Sequence, residues 1–197
     1  MPNILLILLG IGLALLVAHL RQRYASFAAQ TPGDYDGTGP RIDLPTHLNG
    51  EIICDGVIYG PLGRVVSRFT GDFRVDWTGE TAVMREHFRY DDGSFRDRRW
   101  QLRLIDGNRI EALADDVIGT GRGVIGGPSL QLRYRIRLPD SSGGHVLDTV
   151  DWMYLTPDGT IVNRSQFRKF GITVAELVAT MRPRPAEAKA STGTEAA

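Results

Sequence analysis

From Glu51 to Met181 apolar and polar residues alternate with a period of two, and no other feature constrains the fold of this chain as tightly. Over residues 65–77 the odd positions hold Val65, Phe69, Gly71, Phe73, Val75 and Trp77, and the even ones Arg68, Thr70, Asp72, Arg74 and Asp76. Leu130, Leu132, Tyr134, Ile136 and Leu138 alternate with Gln131, Arg133, Arg135 and Arg137 in the same way. Successive strand residues point to opposite faces, so this pattern means strands with one buried and one wet face. Turn signals interrupt it at short intervals, at Pro61-Leu62-Gly63, Thr78-Gly79-Glu80, Asp91-Asp92-Gly93, Asp106-Gly107-Asn108 and Pro157-Asp158-Gly159. About eight to ten strands joined mostly by tight turns form an up-and-down meander. Closing such a meander into an antiparallel barrel removes its unpaired edges. The Gly-rich run 119–127 (GTGRGVIGG) fits a strongly bent strand and lacks the strand-to-helix setting of a phosphate loop. At residues 173–181 the spacing of Val174, Leu177, Val178 and Met181 is helical, and a final strand competes with a helix there.

Charged residues interrupt the apolar face between residues 82 and 116. Glu86 falls among the even residues Ala82, Met84, Phe88 and Tyr90; Arg98 continues the even set Trp100, Leu102 and Leu104; Asp116 follows Ile110, Ala112 and Ala114. Residues opposite one another in a hairpin share a face, so turn lengths set the pairs. A three-residue loop at 91–93, with Gly93 left-handed, pairs Glu86 with Arg98, Met84 with Trp100 and Phe88 with Arg96. A three-residue loop at 106–108 pairs Leu104 with Ile110, Trp100 with Ala114 and Arg98 with Asp116. One layer thus reads Glu86, Arg98, Asp116 across three strands, with the guanidinium serving both carboxylates. Two readings stand: a structural ion cluster near a barrel rim, or the polar floor of a pocket. The second is notable because burying such a triad costs several kcal/mol per ion.

Residues 4–20 are almost wholly apolar and, at about 1.5 Å per residue, span roughly 25 Å, somewhat short of a hydrocarbon core. A single-pass N-terminal helix at 1–23 is the leading reading and a cleaved signal the alternative; Ala28-Ala29 makes a poor cleavage site. Arg21 and Arg23 behind the segment favour a cytoplasmic domain by the positive-inside tendency. Residues 24–46, rich in Gly, Pro, Asp and Thr, read as a linker, 47–182 as the barrel and 183–197 as a disordered tail.

With 23 basic against 23 acidic residues in 197, no net field attracts nucleic acid. The Arg133, Arg135, Arg137 stripe reads as a solvated strand face. Cys54 is the only cysteine and reads as a strand residue rather than a nucleophile. The histidines share no metal-ligand spacing, and His87 opposite Asp97 reads as a surface pair, so neither a metal nor a cofactor is expected. The strand around Asp151-Trp152-Met153-Tyr154 mixes both parities, which leaves its face undetermined.

The stretches Leu48-Asn49-Gly50, residues 86–93 (EHFRYDDG), Arg98-Arg99-Trp100, residues 114–119 (ADDVIG), residues 151–155 (DWMYL) and Lys169-Phe170-Gly171 resemble, in order and spacing, a bacterial envelope family catalogued as domain of unknown function 3833. The resemblance implies a compact, lipocalin-like β domain, often carried as a lipoprotein in the Gram-negative envelope. This chain lacks the lipobox cysteine, so an inner-membrane tether is the expected substitute, with the domain in the periplasm despite Arg21 and Arg23. Family members resemble proteins encoded beside membrane-lipid-modifying enzymes, which brings in a membrane-enzyme partner. Three functions follow as expectations. The first is a barrel binding a fatty acyl or other apolar ligand, with Glu86, Arg98 and Asp116 at the polar head and Trp100, Met84 and Tyr90 along the chain. The second is a lipid-modifying enzyme with Glu86 or Asp116 as base, disfavoured because an Arg neighbour holds a carboxylate ionised. The third is a non-catalytic assembly factor with a packed interior and an exposed apolar patch.

Overall fold

The structure, a computed structural model, describes residues 2–185. Helix α1 (Pro2–Tyr24) precedes ten strands: β1 (Gly50–Tyr59), β2 (Val65–Thr78), β3 (Thr81–Tyr90), β4 (Phe95–Ile105), β5 (Arg109–Ala114), β6 (Gly121–Gly126), β7 (Ser129–Arg137), β8 (Val146–Leu155), β9 (Ile161–Lys169) and β10 (Ile172–Pro183). Each strand pairs antiparallel with the next, and β1 pairs with β10, so the sheet closes into a barrel. Residues 173–181 are therefore strand and not helix. The open edge of β1 has to be paired, and β10, with a bulge between Thr173 and Ala175, supplies the pairing from Ile52 to Tyr59.

The hairpin registers follow the turn arithmetic. Glu86 pairs with Arg98, Met84 with Trp100 and Phe88 with Arg96. Trp100 pairs with Ala114 and Leu104 with Ile110. Gly93 takes φ +83° and Gly107 φ +61°, the left-handed backbone that such short loops need. Inside lie Phe69, Phe73, Trp100, Leu130 and Tyr134, all buried. Outside, charges answer one another, as in Arg85 with Asp76 at 2.9 Å and Arg135 with Asp148 at 3.7 Å, and the His87 ring hydrogen-bonds Asp97 at 2.5 Å.

Residues 24–46 depart from the expected linker. Single-turn 3-10 helices at Phe27–Ala29 and Pro32–Tyr35 lie against the outer wall of β7, β8 and β9. Tyr35 packs edge-on to Trp152 and Tyr154, with ring centroids 5.4 and 5.5 Å apart. Arg164 stacks over Phe27, and Gln30 accepts a 2.8 Å hydrogen bond from the Tyr154 hydroxyl. Trp152, on the outward face of β8, is thereby fully buried. The close approach depends on Gly126 and Gly127. A Cβ at either would sit about 2 Å from backbone oxygens of Pro32 and Tyr35. The chain then crosses one barrel end, where Ile42 donates to Gly127 O at 3.0 Å and α2 (Leu44–His47) follows. Ile42, Leu44 and Leu48 are buried there, and the Trp77 indole donates to Leu48 O at 2.8 Å. A Gly- and Pro-rich composition thus conceals a strap held by a few apolar anchors.

Helix α1 leaves its apolar side chains exposed, and Asn3–Arg21 is long and apolar enough to cross a membrane. At the other terminus β10 reaches Pro183 and Arg184 donates its N–H to Glu51 O, so chain order runs past the expected start of a tail. The tail expected at 183–197 lies, from 186 on, outside the described residues.

Candidate functional site

Period-two alternation on β3 and β4 turns Glu86, Met84, Phe88 and Tyr90, and Arg98, Trp100 and Leu102, toward the barrel axis. Arg98 crosses the interior. Its Nε donates to Asp116 Oδ1 at 3.0 Å, and its guanidinium carbon lies 4.1 Å from the Trp100 ring centroid and 5.7 Å from that of Tyr134. The Trp100 contact is a close cation–π stack. On the facing wall stand Tyr134 from β7, Asp151 from β8, and Asn163 and Ser165 from β9. Asp151 is paired across the sheet with Ser165, whose hydroxyl donates to Asn163 Oδ1 at 3.2 Å. Asn163 in turn donates to Trp152 O at 3.1 Å. These side chains form a polar band around the middle of an otherwise apolar barrel.

The band lines a cavity of about 820 Å³. On one side of the band are Phe69, Phe88, Tyr90 and Phe167; on the other are Met84, Trp100, Leu102 and Leu130. Phe88 packs against Phe69 and Phe73 with ring centroids 5.4 and 5.2 Å apart. Leu48 closes one end, and the cavity reaches the opposite rim at Asp92, Ser94, Ser141 and Ser142. Among the described residues, four interior polar atoms have no hydrogen-bond partner: Glu86 Oε2, Arg98 Nη2, Thr149 Oγ1 and Asp151 Oδ1. Glu86, Arg98 and Asp151 line the cavity; buried polar atoms are ordinarily paired, so these three leave hydrogen-bonding capacity for something that enters it.

Burial pushes the Glu86 carboxyl up to about 7, against the pull of Arg98 and the Trp100 indole. This runs against the expectation that an Arg neighbour holds this carboxylate in its ordinary range: Arg98 commits its Nε to Asp116, and desolvation of Glu86 outweighs the pull that Arg98 still exerts. Asp151 is also raised, by burial, with Ser165, Tyr134 and Arg98 opposing. Burial lifts the Tyr134 phenol well above its ordinary range, assisted by Asp151. The Cys54 thiol is pushed up to about 12 by burial and by Glu86, so it is no nucleophile at neutral pH. Among the described residues no three His, Cys, Asp or Glu side chains gather as metal ligands.

Five of the six anticipated residues, Glu86, Arg98, Trp100, Met84 and Tyr90, line the cavity. Asp116 does not. It lies at the rim, bound by Arg96 at 2.7 Å as well as by Arg98, and faces an outer groove. The layer of three therefore splits: β5 ends at Ala114, and a turn closed by Val117 N–H on Ala114 O takes Asp116 off the ladder with β4. Tyr134, Asp151, Asn163 and Ser165 escaped the sequence reading. Tyr134 was legible as an inward residue of β7. The others sit on strands joined to it through the longer loop 138–145, which sets no register.

The fold has counterparts among solved structures. The S-type phycobiliprotein lyase CPES from Guillardia theta aligns over 72% of this chain and 90% of its own, at 7% identity and TM-score 0.53. Rv2717c from M. tuberculosis aligns over 71% of this chain and 94% of its own, at 14% identity and TM-score 0.52. At such identities the likeness shows the barrel fold. Among curated proteins there is no match. The family model described as protein of unknown function (DUF3833) matches residues 22–183, a span that takes in the strap as well as the ten strands. The chain belongs to that family.

Proposed function

We propose that this protein is a membrane-tethered barrel that holds a fatty acyl chain or similar amphiphile in its interior. The observation that carries the reading is the cavity of about 820 Å³, apolar on both sides of a band whose Glu86, Arg98 and Asp151 atoms lack partners. That size lies within the roughly 300–1,000 Å³ range of small-molecule sites, and apolar walls with a few convergent polar groups are their usual composition. The ligand's polar group meets Arg98, Glu86 and Asp151 part-way down the barrel, while Trp100, Met84 and Tyr90 contact its apolar parts. Asp116 acts indirectly, by fixing Arg98. Helix α1 anchors the domain in the bacterial inner membrane, with the barrel in the periplasm.

The assembly-factor reading asks for an interior filled by side chains, and the cavity counts against it. The enzyme reading gains from the raised Glu86 carboxyl, which suits a general base. It predicts a lipid turned over by the wild type and not by a folded Glu86→Ala variant.

The test is lipid extraction and mass spectrometry on the full chain, purified in a detergent of distinguishable mass. A stoichiometric acyl compound is expected, depleted in Trp100→Ala and Met84→Ala. A folded chain that carries no compound, or equal retention by both variants, would overturn the assignment.

A further inference from the structure

The two barrel ends differ in a way that ligand binding does not require. Strand direction places the turns 60–64, 91–94, 115–120, 138–145 and 170–171 at the cavity mouth. Exposed large hydrophobic side chains concentrate there: Leu62 and Val66 on the first hairpin, Phe95 opening β4, Ile118 after β5, and Phe170 and Ile172 between β9 and β10. Of the barrel's other exposed large hydrophobics, Val65 adjoins Val66, and only Leu113 and Val124 lie away on the wall, among the described residues. The opposite end presents Gly79-Glu80, Asp106-Gly107-Asn108 and Asp158-Gly159 at its turn tips.

Phe170 marks the asymmetry most sharply. It is 91% exposed and takes φ +52°, a left-handed conformation that bulky residues adopt rarely and at a cost. An aromatic ring at that tip does nothing for the core. Lys169 Nζ lies 5.8 Å from its ring centroid, so a cation whose long apolar stem can reach headgroup level stands beside the exposed ring.

The strap supplies the geometry. Followed toward the N-terminus, it runs from Pro32 beside Gly126 at the closed end, to Gln30 beside Gln131 and Tyr154, to Phe27 under Arg164 half-way up β9. The chain thus climbs the wall toward the mouth before α1 begins at Tyr24.

We propose that the barrel docks mouth-down on the bilayer that holds α1. Leu62, Val66, Phe95, Ile118, Phe170 and Ile172 enter the boundary between headgroups and acyl chains, and the cavity opens onto the lipid. A bilayer is the occupant that fits apolar side chains on separated turn tips around an open mouth, since a folded partner needs a continuous face. Asp91, Asp92, Asp115 and Asp140 share the rim with Arg64 and Lys169, a mixture with no basic excess, so contact rests on apolar insertion rather than on attraction to anionic lipid. The inference rests on α1 being a membrane anchor and is independent of what the cavity holds.

The full chain, reconstituted in phosphatidylcholine–phosphatidylglycerol vesicles, tests it with an environment-sensitive fluorophore on Phe95→Cys, Phe170→Cys or, at the closed end, Asp158→Cys. Buried, unreactive Cys54 stays in place, and the unsubstituted chain is the labelling blank. At 95 and 170 blue-shifted emission is expected, with quenching by nitroxide-labelled lipid at least twofold greater than at 158. Hydrogen exchange on the unsubstituted chain should slow at 60–66 and 169–172 in vesicles relative to micelles. Labels at 95 and 170 as accessible to aqueous iodide as the label at 158 would overturn the proposal. So would protection without lipid quenching, which would mean a protein contact. Carbonate extraction of the same vesicles reports the anchor alone. A released chain defeats the anchor and the docking together, whereas an anchored chain with wet labels defeats the docking only.

Discussion

Glu86→Gln isolates the energetic consequence of a carboxyl buried beside a cavity. Glu86 is 8% exposed, and burial lifts it from 4.5 to about 7. A shift of that size corresponds to roughly 3 kcal/mol, at about 1.4 kcal/mol per pH unit. Because the folded pKa is raised, the native state holds its proton after the unfolded chain has released it. The site therefore costs nothing below about pH 4.5. Stability falls as pH climbs from there to about 7, and the full cost persists above it. Glutamine keeps the shape of the protonated form and cannot ionise. The Glu86→Gln variant should thus match wild type near pH 4 and exceed it by roughly 2–3 kcal/mol at pH 8. Urea unfolding of the full chain in micelles, followed by tryptophan fluorescence at pH 4.5, 6 and 8, reads the difference. If the variant is less stable than wild type at pH 8, the ionised carboxylate is stabilised by Arg98 more than burial penalises it, and the argument from desolvation is wrong. A difference that does not vary with pH would refute it equally.

Three further outcomes test other parts of the structure. Trp100→Ala removes the ring beneath Arg98 and should cost about 3–5 kcal/mol in urea unfolding, the range for large core truncations; a loss under about 1 kcal/mol would mean that the indole is not packed as described. Gly126→Ala places a methyl group about 2 Å from Pro32 O and should release the strap, so trypsin should cut after Arg41 several-fold faster while the barrel persists; an unchanged rate would mean that the strap does not depend on this approach. Cys54, with its thiol pushed up to about 12, should resist maleimide at pH 8 in the folded chain and react readily in urea; rapid labelling without denaturant would reveal opening of the β1 wall.

Hairpin pairing was legible in the sequence because it is local arithmetic. The loops 91–93 and 106–108 set the alignment of three strands, and a period of two then fixes which side chains face inward, including Glu86, Arg98, Trp100 and Met84. Three things depended on contacts distant in sequence. The strap reads as a linker until Gly126 and Gly127, about a hundred residues away, admit Pro32 and Tyr35 and let Trp152 be buried beneath them. The facing half of the polar band, Tyr134, Asp151, Asn163 and Ser165, meets Arg98 only because β1 and β10 close the barrel. The state of Glu86 is set by how much water the whole assembly excludes. Periodicity can assign a residue to a face, but desolvation is a sum over every neighbour that folding brings near, and only the closed tertiary structure determines that sum.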